Sequence, residues 1–247
     1  LRNIQKDGYY AWANYIKGSI DALIKHGYKI DQGIDLYMVG TMPFGAGLSS
    51  SASLEMLIIT IFNQLFELGI SKKEMALLGK YAENQFVGVN SGIMDQYAVI
   101  AGQENHALLL NTDTLEHEQI PLFLNHHSLL IVNTNKKRGL ADSKYNERYQ
   151  ECQQSLETLK SVYAIEHLCQ LKSSDLPLIK KTLNDSMLFK RVRHVITEQE
   201  RTLLSKEALI HGEIQQFAHY LTASHNSLKD DYEVTGNELD TLQKLLI

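Results

Sequence analysis

The chain has 247 residues, 44% of them hydrophobic and 21% charged, with a formal net charge of −5. That balance suits a globular protein with a substantial core, built as one large domain or two smaller ones. It excludes a broad electrostatic footprint for nucleic acid or an anionic membrane, so an anionic ligand must be held by local geometry and a metal ion. No apolar run reaches transmembrane length and no signal peptide is visible, so a cytosolic (cytoplasmic) location is expected. Cys152 and Cys169 are too few for a disulfide framework and are expected as buried thiols in helical sequence.

Tyr9 to His26 reads as a helix closed by Gly27. Ile34 to Met42 is rich in β-forming residues and leads into the stretch MPFGAGLSSSASLE, Met42 to Glu55. The helix that follows spaces Leu54, Leu57, Ile61, Leu65 and Leu68 by threes and fours and ends at Gly69. Ser71 and Glu74 form a capping-box pair opening a helix with Met75, Leu78, Ala82 and Phe86 on one face. A polar turn from Phe86 to Gly92 precedes the apolar run Ile93 to Ile100.

Ala107 to Asn111, Leu115 to Ile120 and Leu129 to Thr134 read as strands. From Asp142 onward the pattern is mainly helical, near 142–160, 187–207 and 210–228. Thr235 and Glu238 make a capping box before Leu239, Leu242, Leu245 and Leu246. The chain starts at Leu1 and stops inside this apparent helix, as expected of a fragment incomplete at both ends. Strands early and helices late predict an α+β protein of two lobes, with a mixed sheet in the first half and a mainly helical second half.

The glycine–serine stretch carries the chemistry. Where a loop turns into a helix, free N–H groups and the positive helix end favour anions such as a triphosphate. Gly45 and Gly47 permit close backbone approach, and Ser49, Ser50 and Ser51 supply hydroxyls for phosphate oxygens or magnesium. A Walker A loop needs a lysine where Leu48 stands, and a Rossmann loop needs a glycine where Ser50 stands. A protein-kinase glycine loop joins two strands, whereas this one runs into a helix. The plainer alternative is a tight strand-to-helix turn with serine caps.

PFGAGLSSSAS resembles the signature loop of the GHMP kinases, in its galactokinase-branch form. The stretches AENQFVG with SGIMDQ, VNTN with SKY, RHVITE, and SHNSLKDDYE resemble further segments of that family in the same order. The resemblance implies a two-lobed GHMP-kinase fold. Residues 1–104 would lie in its N-terminal domain and 105–247 in its C-terminal domain. It also implies ATP and Mg2+ as cofactors, galactose as acceptor at its C1 hydroxyl, no nucleic-acid or membrane partner, and a monomer. By resemblance, Gly45, Ala46, Gly47, Leu48, Ser49, Ser50 and Ser51 bind nucleotide phosphates. Ser51 and Glu83 hold the metal, Asp95 is the catalytic carboxylate, and Gly92, Asp95 and Tyr145 meet the sugar. Read alone, Asp95 is a helix-start aspartate favoured by the dipole, Glu83 sits on a solvated face, and Tyr145 is a half-buried helix tyrosine.

Trp12 falls where the family has a packing helix. Arg193 and His194 are expected at a surface or interface, and His126–His127 is no metal motif. The family's N-terminal arginine and Glu-His-x-Asp signature, and its C-terminal glycine-rich loop, do not occur in this sequence, so the piece alone is expected to be inactive. Two other readings remain open at this point: an N-acetylgalactosamine kinase, and a galactokinase-like sensor that binds sugar and ATP without turnover.

Overall fold

A computed structural model describes residues 4–43, 46–89, 91–136 and 144–246, and only the backbone of Tyr145. The chain divides into two compact units, Leu1–Gln119 and Ile120–Ile247.

The first unit is built on three helices, α1 (Ala13–Lys25), α2 (Ser50–Leu65) and α3 (Lys72–Tyr81). Their core joins Leu23, Met56, Ile59, Phe62, Met75 and Leu78. The Ser71 side chain accepts from the Glu74 N–H, so α3 begins where its capping pair predicts. Met75, Leu78, Ala82 and Phe86 are all buried, as their spacing predicts.

The helix does not stop at Phe86. It runs on through a π segment, Ala82–Val87, and closes on Gly88, whose φ of 92° suits the left-handed cap that glycine tolerates. α2 differs from its predicted face. It buries Ala52, Glu55, Met56, Ile58, Ile59 and Phe62, while Leu57 and Leu65 are exposed. The middle of α2, Met56–Ile59, is a continuous apolar run without periodic contrast to mark its inner side, so packing decides it.

α4 (Met94–Ala101) follows, then the hairpin β1 (His106–Leu110) and β2 (His117–Pro121). Leu115 belongs to the hairpin turn, at φ 58°. This hairpin is the only sheet among the described residues. Ile34–Met42 and Leu129–Thr134, both expected as strands, form none. β-propensity makes a strand only where a second strand pairs with it, and these segments find no partner among the described residues. Trp12 caps α1 half-exposed and is not packed into a core.

The second unit holds α5 (Tyr145–Leu159), α6 (Leu176–Leu183), α7 (Ser186–Ile210), α8 (Ile214–Asp230) and α9 (Asn237–Leu246). Leu156, Leu159, Ile179, Leu188, Val192 and Ile196 form its core. Both cysteines are free thiols. Cys152 is half-buried, but Cys169 is exposed, because the single 3-10 turn 168–170 aims its Leu168 inward.

Beside this core lies a buried ion network. Glu151 accepts from Arg191 Nε at 2.7 Å and pairs with Arg148. Arg148 Nε donates to the Tyr232 carbonyl at 2.7 Å, and Arg191 donates to the Asp231 carbonyl at 2.6 Å and the Glu233 carboxylate at 2.8 Å. Together they pin the turn after α8, where Glu233 takes φ 56°. Burial pushes the Glu151 carboxyl up, but Arg191 and Arg148 outweigh it and hold the group below its usual range. Arg191, then Lys190, hold Glu233 at about 2. His194 is buried rather than at the surface. It stacks on Tyr232 with ring centroids 4.4 Å apart and bonds Ser227 Oγ at 2.9 Å. Its neighbour Arg193 pairs with Asp231.

Candidate active site

The glycine–serine loop enters α2 through two left-handed residues, Gly47 at φ 74° and Ser49 at φ 56°. Open space lies where a Cβ on Gly47 would stand. Ala46, Leu48, Ser49, Ser50 and Ser51 are half-buried, Gly47 is exposed, and Gly45 lies outside the described residues. Ser49 is the N-cap, yet its side chain makes no cap bond, and α2 carries no acidic residue in its first turn. The N–H groups of Ser50, Ser51 and Ala52 have no acceptor within the helix, so this end offers donors and positive potential together.

One turn into α2 lies Glu55, on the same face as Ser51. It is 0% exposed. Gln96, on α4, donates from Nε2 to Glu55 Oε2 at 3.1 Å and to Glu83 Oε2 at 2.8 Å. Ser91 Oγ donates to the same Glu83 oxygen at 2.5 Å, and its N–H donates to Asn84 Oδ1 at 3.0 Å. Glu83 is therefore buried on the π segment, not on a solvated face.

Asp95 stands half-buried in the first turn of α4, beside Gln96 in sequence. Burial pushes the Glu55 carboxyl up to about 8; the Gln96 bond offsets part of this, and the charges of Glu83 and Asp95 add to it. The Tyr15 phenol on α1 is raised by burial, then by Glu83 and Glu55. Gly92 is exposed, with open space toward its missing side chain. Tyr145 opens α5 in the second unit, and its side chain lies outside what is described.

Gln96 on α4 thus joins Glu55 on α2 to Glu83 on the π segment, with Asp95 next to it in sequence. Glu55 and Gln96, at the centre, were missed by the sequence reading. The available signal was the four-residue step from Ser51 to Glu55, a carboxylate placed directly before the apolar run Met56–Ile59. Among the described residues, no three His, Cys, Asp or Glu side chains form a metal site by themselves. His126 and His127 are exposed.

Residues 14–103 match the family described as the GHMP kinases N terminal domain. The chain is 50% identical over 231 residues to a galactokinase of Enterococcus faecalis, covering 94% of this chain and 60% of that one. It is 44% identical over 247 residues to a galactokinase of Clostridium acetobutylicum, covering 100% of this chain and 63% of that one. A solved Lactococcus lactis galactokinase complexed with galactose superposes with a TM-score of 0.92 at 42% identity, covering 98% of this chain and 62% of that one. The chain therefore has the fold of the corresponding part of that galactokinase, and spans about 60% of the length of the curated relatives it matches. No helix among the described residues is long and apolar enough to cross a membrane.

Proposed function

We propose that the protein carrying this chain is a galactokinase. It transfers the γ-phosphoryl group of ATP to the C1 hydroxyl of galactose, giving galactose 1-phosphate and ADP, the first committed step of galactose catabolism. The observation that carries this reading is the Gln96 amide bonding both Glu55, one turn beyond Ser51 on α2, and the buried Glu83, with half-buried Asp95 next to Gln96 in the first turn of α4. The similarity to galactokinases supports the choice of sugar.

The loop from Gly45 to Ser51 and the α2 N-terminus hold the phosphates against free N–H groups. Asp95 faces the sugar hydroxyl, orients it, and accepts its proton as the oxygen bonds to phosphorus. Gly92 and Tyr145 meet the sugar, residues 1–104 serve as part of the N-terminal kinase domain, and 105–247 serve as part of the C-terminal one.

The residues fit magnesium. Ser91 and Gln96 both bond Glu83 through Oε2, and a carboxylate has a second oxygen to offer a cation. With a Ser51 hydroxyl, that is the sparse oxygen set magnesium accepts when phosphates and water complete its shell. Bound there, the ion would neutralise charge on the transferred phosphoryl group.

The test is ADP release by the full-length protein with galactose and magnesium, beside N-acetylgalactosamine and mevalonate. Galactose-dependent release that disappears in Asp95→Asn supports the reading. Turnover of N-acetylgalactosamine in preference to galactose moves the assignment to that sugar. Binding of galactose and ATP without release points to a sensor.

A further inference from the structure

The centre of the candidate site holds groups that the proposed transfer does not use. Glu55 and Gln96 are each 0% exposed, and each carries an Oε1 without a hydrogen-bond partner. Gln96 has already committed its amide nitrogen to Glu55 and Glu83. A primary amide has only two N–H donors, so it has none left to give. The charges that act on Glu55 are those of two carboxylates, Glu83 from the π segment and Asp95 from α4. Tyr15 faces the same group from α1. From α3, an added Cβ on Gly79 would stand 3.0 Å from Gln96 Cγ and 3.5 Å from Glu55 Oε2. An ionised Glu55 would sit beside these carboxylates with one amide donor, a costly arrangement. A carboxylic acid has an O–H to give, and Gln96 Oε1 is an acceptor in want of one.

We propose that Glu55 is a positioning residue kept as a neutral carboxylic acid, which pairs with the Gln96 amide and thereby fixes Glu83 and the adjoining Asp95. The pair is a cyclic acid–amide contact, N–H to Oε2 in one direction and O–H to Oε1 in the other. It locks the Gln96 amide so that its second N–H holds Glu83, and it anchors the first turn of α4 on which Asp95 stands. The consequence for catalysis rests on the kinase reading; the protonation state of Glu55 does not.

The test compares Glu55→Gln, which keeps both an N–H donor and an oxygen acceptor without charge, with Glu55→Ala in the full-length protein. Glu55→Gln is expected to melt at or above wild type, with an advantage larger near pH 9 than near pH 5. It should keep kcat for galactose within about threefold, while Glu55→Ala lowers kcat by about tenfold to a hundredfold with KM for ATP unchanged, as misplacement of a reacting group does. The proposal is overturned if Glu55→Gln melts below wild type throughout, if its advantage is the same at both pH values, or if it loses kcat as Glu55→Ala does. A wild type without galactose-dependent ADP release overturns the kinase reading instead. The melting comparison needs no turnover and decides the state of Glu55 in either case.

Discussion

Each unit buries a polar cluster, and the two are built on opposite principles. In the second unit Glu151 lies between Arg148 and Arg191, and the arginines' remaining donors go to Asp231, Tyr232 and Glu233. Positive and negative groups alternate, donors meet acceptors, and the result ties α5 and α7 to the turn after α8. In the first unit Glu55 and Glu83 share one amide donor, and Oε1 of Glu55 and Oε1 of Gln96 meet no side-chain donor among the described residues. A balanced network lowers the energy of one fold. An acceptor-rich one leaves affinity unspent for a proton, a cation or a substrate hydroxyl. On the proposed reading, the difference separates a cluster that holds structure from one that serves chemistry.

Breaking that contrast begins with its sharpest expected effect. Asp95→Asn should lower galactose-dependent kcat by about 10²–10⁴-fold, the range of lost proton-transfer catalysis, while melting and nucleotide binding stay near wild type. Near-normal turnover would remove the first cluster's claim to chemistry.

Next comes Arg191→Ala, which leaves the Glu151 charge short of a partner. It should cost about 3–5 kcal/mol of stability in denaturant melts, with hydrogen-exchange protection lost in α5, α7 and α8. A loss under about 1 kcal/mol, the size expected of an exposed pair, would show that the network does not hold the turn.

The two clusters should also answer pH in opposite senses. Glu55 titrates at about 8 when folded, above its ordinary 4.5, so its contribution to stability is complete below 4.5 and is lost as pH rises through 8. Glu233 titrates at about 2, below its ordinary 4.5, so its contribution is present above 4.5 and is lost as pH falls through 2. Exchange rates corrected for intrinsic pH dependence should show α2 and α4 loosening between pH 5 and pH 9, and the segment 231–233 with α7 loosening only in acid. Parallel behaviour would erase the contrast.

The smallest effect is Ser227→Ala, which removes the hydroxyl bonded to His194 Nδ1. It should cost about 1 kcal/mol in thermal or denaturant melts, the worth of one hydrogen bond, without changing kcat. A change in kcat would extend function into the second cluster.

Local rules made part of this legible. The Ser71 cap, the Met75–Phe86 stripe and the glycine–serine entry into α2 are each set within a few residues of chain, and the sequence pattern names them. Long-range partners are another matter. Leu129–Thr134 has the side chains of a strand but no neighbouring strand among the described residues, and no local pattern reports whether a neighbour is there. Glu83 looked solvated because its partners, Ser91 and Gln96, lie 8 and 13 residues away across a π segment.

The sequence by itself determined the helix caps, the glycine–serine entry into α2 and the family resemblance, because these depend on residue type and short spacing. Only the tertiary structure decided which side of the apolar α2 faces inward, that Glu55 and Gln96 meet, and that Arg148, Arg191 and Glu151 are buried together. Burial and pairing are properties of surfaces that close on one another. A charged residue's letter is the same whether it ends in water or beside a partner forty residues away, and that difference sets its protonation and its role.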